Sequence, residues 1–470
     1  MPLPIISVAA MRDWEERTWA TGVTVEDVML EAGKAVAREA EHLTRNNAEV
    51  LFLAGPGNNG GDVRIASQQT RNRDGVLLEF KEEPKSLDAV GEALGKSPDL
   101  IVDGLFGIGI NRKLNENWQK LIDCINSSGC PVLSVDIPSG LNGDTGEPMG
   151  AAIKATRTIT LGAPKTGFMQ PTATSFTGCL VVAHSIGLLD ELPASEHYWV
   201  TRSDMYRAIP SRSQDAHKGD FGHVGIIAGS TGYHGAAVLA ARAALRARPG
   251  LVSVYTPAYA PVAAQLQSAM VHPWSKDTLS GIGNCSAFII GPGLAGPDVP
   301  EGLIAAARVI WSSFEEPVIA DASALDWLAN TAPHATAMRA ITPHAGEAAR
   351  LLGKTSNEIN TGRTSAVRLL AEMTGSHVVL KGRHTLIGNS QGPLMVNSTG
   401  NPGLAQGGSG DVLAGFLGGL AAQPALSKHF ANTLAYGVWK HGFAADRLQQ
   451  QSGYWGMDDL IEGLGQPEFD

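Results

Sequence analysis

The chain has only four cysteines, Cys124, Cys130, Cys179 and Cys285, and no two of them stand in a C-x-x-C spacing. Paired spacings mark zinc sites and disulfide frameworks, so neither is expected and the thiols are read as reduced. Nowhere do eighteen apolar residues run together, which leaves no candidate membrane span. The opening residues Met1-Pro2-Leu3-Pro4-Ile5-Ile6 place no basic segment before their apolar stretch, unlike a secretory leader. A cytoplasmic protein is expected. Charge of one sign is not concentrated anywhere: 36 Lys and Arg face 46 Asp and Glu, a net −10 without like-charge runs. A nucleic-acid footprint and a charged tail are both missing. Low-complexity tracts are missing too, since the 55 Gly and 26 Pro fall at the ends of apolar runs, as in loop-rich α/β enzymes.

What the chain has is length and alternation. Its 470 residues exceed what one core usually covers, so two domains are expected. Thr24 as N-cap, Asp27 three residues on, and Val25, Val28, Met29, Ala32 and Val36 on one face predict a helix over 24–43. Strand-like runs follow at 49–54, 100–103, 132–136 and 158–161, and the first three end in glycine-containing loops. This pattern predicts a parallel α/β sheet with its site at the carboxyl ends of the strands. Residues 187–212 lack a sustained period, and the domain junction is placed there, dividing 1–198 from 199–470. Beyond it the alternation restarts, with strands at 224–228, 251–255, 287–290, 318–320, 340–342 and 378–380. Helices are expected at 235–247, 345–352 and 408–422.

Two glycine loops carry the chemistry. Asn401-Pro402-Gly403-Leu404-Ala405-Gln406-Gly407-Gly408-Ser409-Gly410-Asp411 leads into an apolar helix. Small residues leave backbone N–H groups uncovered where the helix begins, and a helix N-terminus favours an anion. Asp411 in that turn is ill suited to anion binding alone. It suits a base acting on a hydroxyl beside a phosphate, with a structural cap as the plainer alternative. The second loop is Gly55-Pro56-Gly57-Asn58-Asn59-Gly60-Gly61-Asp62. Two later segments, 103–113 and 135–144, are placed to converge on it. Together they offer amides for phosphates, oxygens for a ligand or cation, and Arg112 and Lys113 for a nucleotide. Asp136, at a strand end before a proline turn, is the best-placed acid/base. Any one segment reads equally well as a chain reversal or a cap; three together point to a site.

On 55–62, 102–109, 135–146 and Leu161-Gly162-Ala163-Pro164-Lys165-Thr166-Gly167, the first half resembles the epimerase domain of bifunctional NAD(P)H-hydrate repair enzymes. The resemblance implies a Rossmann-like parallel-sheet sandwich. It also implies that Asn58, Asn59, Gly60, Gly61, Asp62, Gly107, Ile108, Gly109, Ile110, Asn111, Arg112, Lys113 and Asp136 hold the hydrated dinucleotide. A potassium ion (K+) bound through Asn59, Asp103 and Ser139 is implied as well. Two departures stand out: Val63 where the family pattern has glycine after Gly-Gly-Asp, and Ile108 where Gly-Thr-Gly is usual. Val63 predicts a narrower approach to the ligand, and Ile108 the loss of one hydrogen-bonding hydroxyl.

The second half resembles the ADP/ATP-dependent NAD(P)H-hydrate dehydratases of the ribokinase-like superfamily. The carrying segments are 217–224, 235–246, Gly291-Pro292-Gly293-Leu294, Thr342-Pro343-His344-Ala345-Gly346-Glu347, Leu380-Lys381-Gly382-Arg383-His384-Thr385 and 401–411. The resemblance implies that Lys381, Gly382, Arg383, His384, Thr385 and Gly410 contact ADP or ATP, with Mg2+ accompanying it. It implies that Ala237, Gly293, His344 and Asp411 contact the hydrated nicotinamide, with Asp411 as base. Asp321-Ala322-Ser323-Ala324-Leu325 has serine where the family commonly repeats the carboxylate. The expected whole is an epimerase (isomerase) fused to a dehydratase (lyase), acting on hydrated NADH and NADPH, with a homo-oligomer left open. A vitamin-precursor kinase using the same glycine loop, and a non-catalytic nucleotide-binding scaffold, are the alternatives.

Overall fold

The computed structural model describes residues 2–205 and 212–467. Its contacts divide the chain into Leu3–Glu196 and a unit that begins at His197. The division falls within the aperiodic stretch 187–212, of which residues 206–211 lie outside the described residues.

In the first unit six strands, β1 (Glu49–Ala54), β2 (Asp74–Glu79), β3 (Leu100–Gly104), β4 (Val132–Val135), β5 (Arg157–Leu161) and β6 (Cys179–Ala183), form one parallel sheet. The order is β2-β1-β3-β4-β5-β6, so the direction of winding reverses between β1 and β3. In open α/β sheets that reversal opens a crevice at the carboxyl ends. Helix Val25–Leu43 forms as expected: Thr24 Oγ1 accepts from Asp27 N, and the Asp27 carboxylate accepts from Thr24 N. It buries Val28, Ala32 and Val36 on the sheet with Phe52, Val102 and Val135. Strand β4 stops one residue short of the expected 136, because Asp136 turns into the left-handed region at φ +62°. Strands β2 and β6 were not expected; β2 is an edge strand, exposed along most of its length.

In the second unit, β7 (His197–Trp199), β8 (His223–Ile227), β9 (Leu251–Thr256), β10 (Met270–Pro273), β11 (Ala287–Ile290), β12 (Val318–Ala320), β13 (Arg339–Ile341), β14 (His377–Leu380), β15 (Leu386–Gly388) and β16 (Leu394–Val396) share a sheet. They run β7-β16-β15-β14-β13-β12-β11-β8-β9-β10, and β15 is antiparallel to both its neighbours. Ile227, Ile290, Ala320 and Ile341 stand in register across four parallel strands. The segments that leave those strands therefore start from one edge. Helix Ser409–Ala421 begins after Gly408 at φ +95° and packs on helix His234–Arg246. The contact is close: a β-carbon on Gly415 would lie 2.1 Å from Ala240 O, and one on Gly419 2.6 Å from Ala244 O.

Candidate functional sites

In the first unit a cavity of about 780 Å³ opens at the carboxyl edge of the sheet. Asn58, Asn59, Asp62, Gly107, Ile108, Gly109, Ile110, Asn111, Arg112, Lys113 and Asp136 all line it. Gly60 and Gly61 do not. A β-carbon on Gly60 would lie 2.0 Å from Gly55 O, and one on Gly61 2.4 Å from Met29 Sδ, so these glycines let helix Asn58–Gln69 sit tightly beneath the cavity. Val63 corrects the expected narrowing. Its side chain is fully buried in the core against Gly104 and leaves the cavity untouched. Ile108 does face the cavity and packs on the Met11–Trp14 cluster.

Beneath the cavity the three oxygen donors lie together. Asp103 Oδ1 accepts from Ser139 Oγ at 2.6 Å, and Oδ2 accepts from Ser139 N at 3.0 Å and Ser134 Oγ at 2.8 Å. Burial raises the Asp103 pKa against these hydrogen bonds, and no basic side chain offsets it. Asn59 Nδ2 donates to Phe106 O and Val135 O, while Oδ1 is buried without a partner. A buried acceptor left unmatched is costly and calls for an occupant.

Asp136 is gripped by a lysine that sequence reading passed over. Lys165, with no exposed side-chain surface, donates through Nζ to Asp136 Oδ1, Leu161 O and Thr160 Oγ1. All three ammonium donors are thereby used. Arg12 and Glu15, from helix Val8–Trp19, also line the cavity. Burial, then Asp136, raises the Glu15 pKa, with Lys165 and Arg12 opposing. Burial raises Asp62 further, reinforced by Asp136 and Glu15. Lys165 lay within a segment already singled out. Arg12 and Glu15 carried no motif, only a helical period burying Met11, Trp14 and Thr18.

The second site gathers at the edge set by β12, β13 and β14. Lys381 Nζ donates to Asp321 Oδ1 at 2.8 Å and stands 3.7 Å from Glu347 Oε2. Asp411, in the first turn of its helix, has its pKa pushed up to about 6 by burial, then by Asp321 and Glu347, with Lys381 opposing. Gly410 keeps that turn open, since a β-carbon there would come 3.2 Å from Lys381 Nζ. His344 caps helix Ala345–Leu352: Nδ1 accepts from Gly346 N, and Glu347 Oε2 accepts from His344 N. Its Nε2 lies 3.6 Å from Glu347 Oε2. Thr385 is buried and donates to Gly382 O. Gly382 and His384 both have positive φ, so the strand turns sharply through Arg383. Burial and then Arg383 push His384 down to about 3, keeping its ring neutral. Gly293 takes φ +63° and its carbonyl accepts from Ser230 Oγ, while Ala237 is wholly buried in its helix.

A family model described as NAD(P)H-hydrate dehydratase matches residues 224–463. One described as YjeF-related protein N-terminus matches residues 66–167. The bifunctional NAD(P)H-hydrate repair enzyme Nnr of Thermofilum pendens is 33% identical over 93% of this chain and 90% of its own length. The chain belongs to the bifunctional NAD(P)H-hydrate repair enzyme family. The Escherichia coli Nnr is 36% identical over 94% of this chain and 89% of its own. Among solved structures, the Bacillus subtilis ADP/ATP-dependent NAD(P)H-hydrate dehydratase, co-crystallised with ATP/Mg2+, is 28% identical. It covers 56% of this chain and 95% of its own with a TM-score of 0.50. The dehydratase match takes in the loop 401–411, and the YjeF-related match begins just beyond the loop 55–62. A ribokinase-like superfamily protein of Enterococcus faecalis, 25% identical with a TM-score of 0.51 over 59% of this chain and 97% of its own, marks the second unit as ribokinase-like. Among the described residues no helix is long and apolar enough to cross a membrane.

Proposed function

We propose that the chain repairs hydrated NADH and NADPH in two steps, epimerising the R and S forms in the first unit and dehydrating the S form in the second. The observation that carries the second step is Asp411, a half-buried carboxylate in the first turn of a glycine-lined helix N-terminus, where a β-carbon on the adjacent Gly410 would lie 3.2 Å from Lys381 Nζ. A ring hydroxyl is a poor leaving group. Phosphoryl transfer to it from ADP or ATP makes it a good one, and loss of phosphate with a proton from the neighbouring carbon restores the double bond. Asp411 accepts the hydroxyl proton as the O–P bond forms, and backbone N–H groups of the turn stabilise the transferring phosphoryl charge. Mg2+ accompanies the nucleotide phosphates. Asp411→Asn is expected to cut dehydration by about 10²- to 10⁴-fold while calorimetric ADP affinity changes little. Retained turnover would remove Asp411 from the role.

In the first unit the cavity takes the dinucleotide, with Arg112 and Lys113 toward its phosphates and Asp136 on Lys165 as the acid/base pair. The group implied beneath it is a potassium ion held by Asn59, Asp103 and Ser139. The residues fit: Asn59 Oδ1 is a buried acceptor without a partner, and Asp103 is a buried carboxylate without a cation. Bound there, the ion supplies fixed positive charge under the loops that carry Asn59, Gly107 and Asp136. Exchange of potassium for lithium is therefore expected to slow R-to-S conversion, followed by chromatography of the two epimers. An unchanged rate across the exchange would leave the site without an ion.

A further inference from the structure

The family resemblance implies a nucleotide contact for Lys381, yet its ammonium is already engaged by protein. Nζ donates to Asp321 Oδ1 at 2.8 Å, and the same oxygen accepts from Thr342 Oγ1 at 2.7 Å. Glu347 Oε2, 3.7 Å from Nζ, is itself fixed by accepting from His344 N at 2.7 Å. Both carboxylates are thus held in place independently of the lysine, Asp321 at the end of β12 and Glu347 in its helix cap. They draw Nζ against the first turn of helix Ser409–Ala421, where the absent side chain of Gly410 leaves it room.

We infer that Asp321, Glu347 and Lys381 are positioning residues for Asp411, the two fixed carboxylates holding the ammonium beside the helix turn that carries the base. This rests on the reading of Asp411 given above. The charged groups facing that turn are Lys381 Nζ and Asp321 Oδ2, 3.2 and 3.6 Å from where a β-carbon on Gly410 would lie, with Glu347 Oε2 3.7 Å from the ammonium. His441, from helix Phe430–Gln451, lies against the Ser409 backbone and near Lys381. Burial pushes its pKa down to about 4, so its ring adds no charge at neutral pH. Three carboxylates around one ammonium cannot all be balanced in a poorly solvated site. Burial, then Asp321 and Glu347, raise the Asp411 pKa, and Lys381 opposes them. A base poised near neutrality is well matched to proton transfer.

The test is the pH profile of kcat for nucleotide-dependent dehydration by the full chain, with KM for ADP measured alongside. For Asp321→Asn and Glu347→Gln, loss of a negative neighbour moves the acid limb to lower pH. For Lys381→Met, loss of the ammonium moves it to higher pH, each by about one unit. A lysine that served only the nucleotide would raise KM for ADP and leave the limb where it is in every variant. That result overturns the inference. Direct ¹³C titration of the Asp411 carboxyl in nucleotide-free wild type, Lys381→Met and Asp321→Asn, assigned by its loss in Asp411→Asn, needs no turnover. Opposite displacements in the two variants support the inference, and a common value refutes it. Absence of dehydration by wild type would instead strike the proposed function, leaving the carboxyl titration to judge the cluster.

Discussion

Asp136 shows how much chemistry one residue position can hold. Its backbone sits in the left-handed region, where asparagine and aspartate are tolerated better than other side chains, and its carboxylate meets the ammonium of a lysine with no exposed side-chain surface. Removing one partner of a buried ion pair leaves the other desolvated and alone. Lys165→Met is expected to lower the unfolding free energy of the first unit by about 3 kcal/mol and to abolish epimerisation. Urea unfolding with a parallel epimer assay would measure both, and an unaltered midpoint would show the pair to be dispensable. Asp136 and Asp411 could be singled out as candidates because each stands in a loop beside glycines and a strand or helix end. Lys165 stood in a quoted segment, but its pairing was not legible, since its partner lies 29 residues away. Gly60 and Gly61 were legible as special positions but not in their roles, which depend on what packs behind them.

Among the elements, the ones that read clearly are those buried on one side with a regular period or buried on both as short apolar runs. Strands β1, β3, β11 and β12 belong to this class, as does helix Val25–Leu43. Exposed β2 and the short antiparallel pair β15 and β16 carry too little apolar contrast. Helix Phe430–Gln451 escaped for the opposite reason: residues 433–442 are buried on every side, Lys440 and His441 included, so no 3.6-residue stripe appears. The helix pair His234–Arg246 and Ser409–Ala421 makes the sharpest demand on element packing, because Gly415 admits the Ala240 carbonyl into van der Waals range. Gly415→Ala should force the helices apart and shift Asp411 with them. The expected cost is about 1–3 kcal/mol, with a fall in dehydration rate while epimerisation is retained. Thermal melting and the two separate assays would read this, and a variant as stable and active as wild type would contradict the packing account.

At the scale of the molecule, the chain carries two α/β units, each with its site at the carboxyl edge of a sheet. The parallel α/β sheet of each half was legible from alternation, because βαβ units fix both the parallel sheet and the edge that binds ligands, whereas the Rossmann-like and ribokinase-like assignments came from the family resemblance. What alternation could not supply was the pairing of distant charges, Asp136 with Lys165 and Asp321 with Lys381, which only the folded sheets bring together. The two activities complement each other chemically, since hydration of a reduced nicotinamide gives both epimers and the second unit consumes one. The most direct test is recovery of reduced-nicotinamide absorbance from a mixture of R and S hydrates, with and without ADP or ATP. Complete recovery that requires nucleotide is the expected result. Recovery of the S share alone would contradict the epimerase half of the account, and no nucleotide-dependent recovery would contradict the dehydratase half.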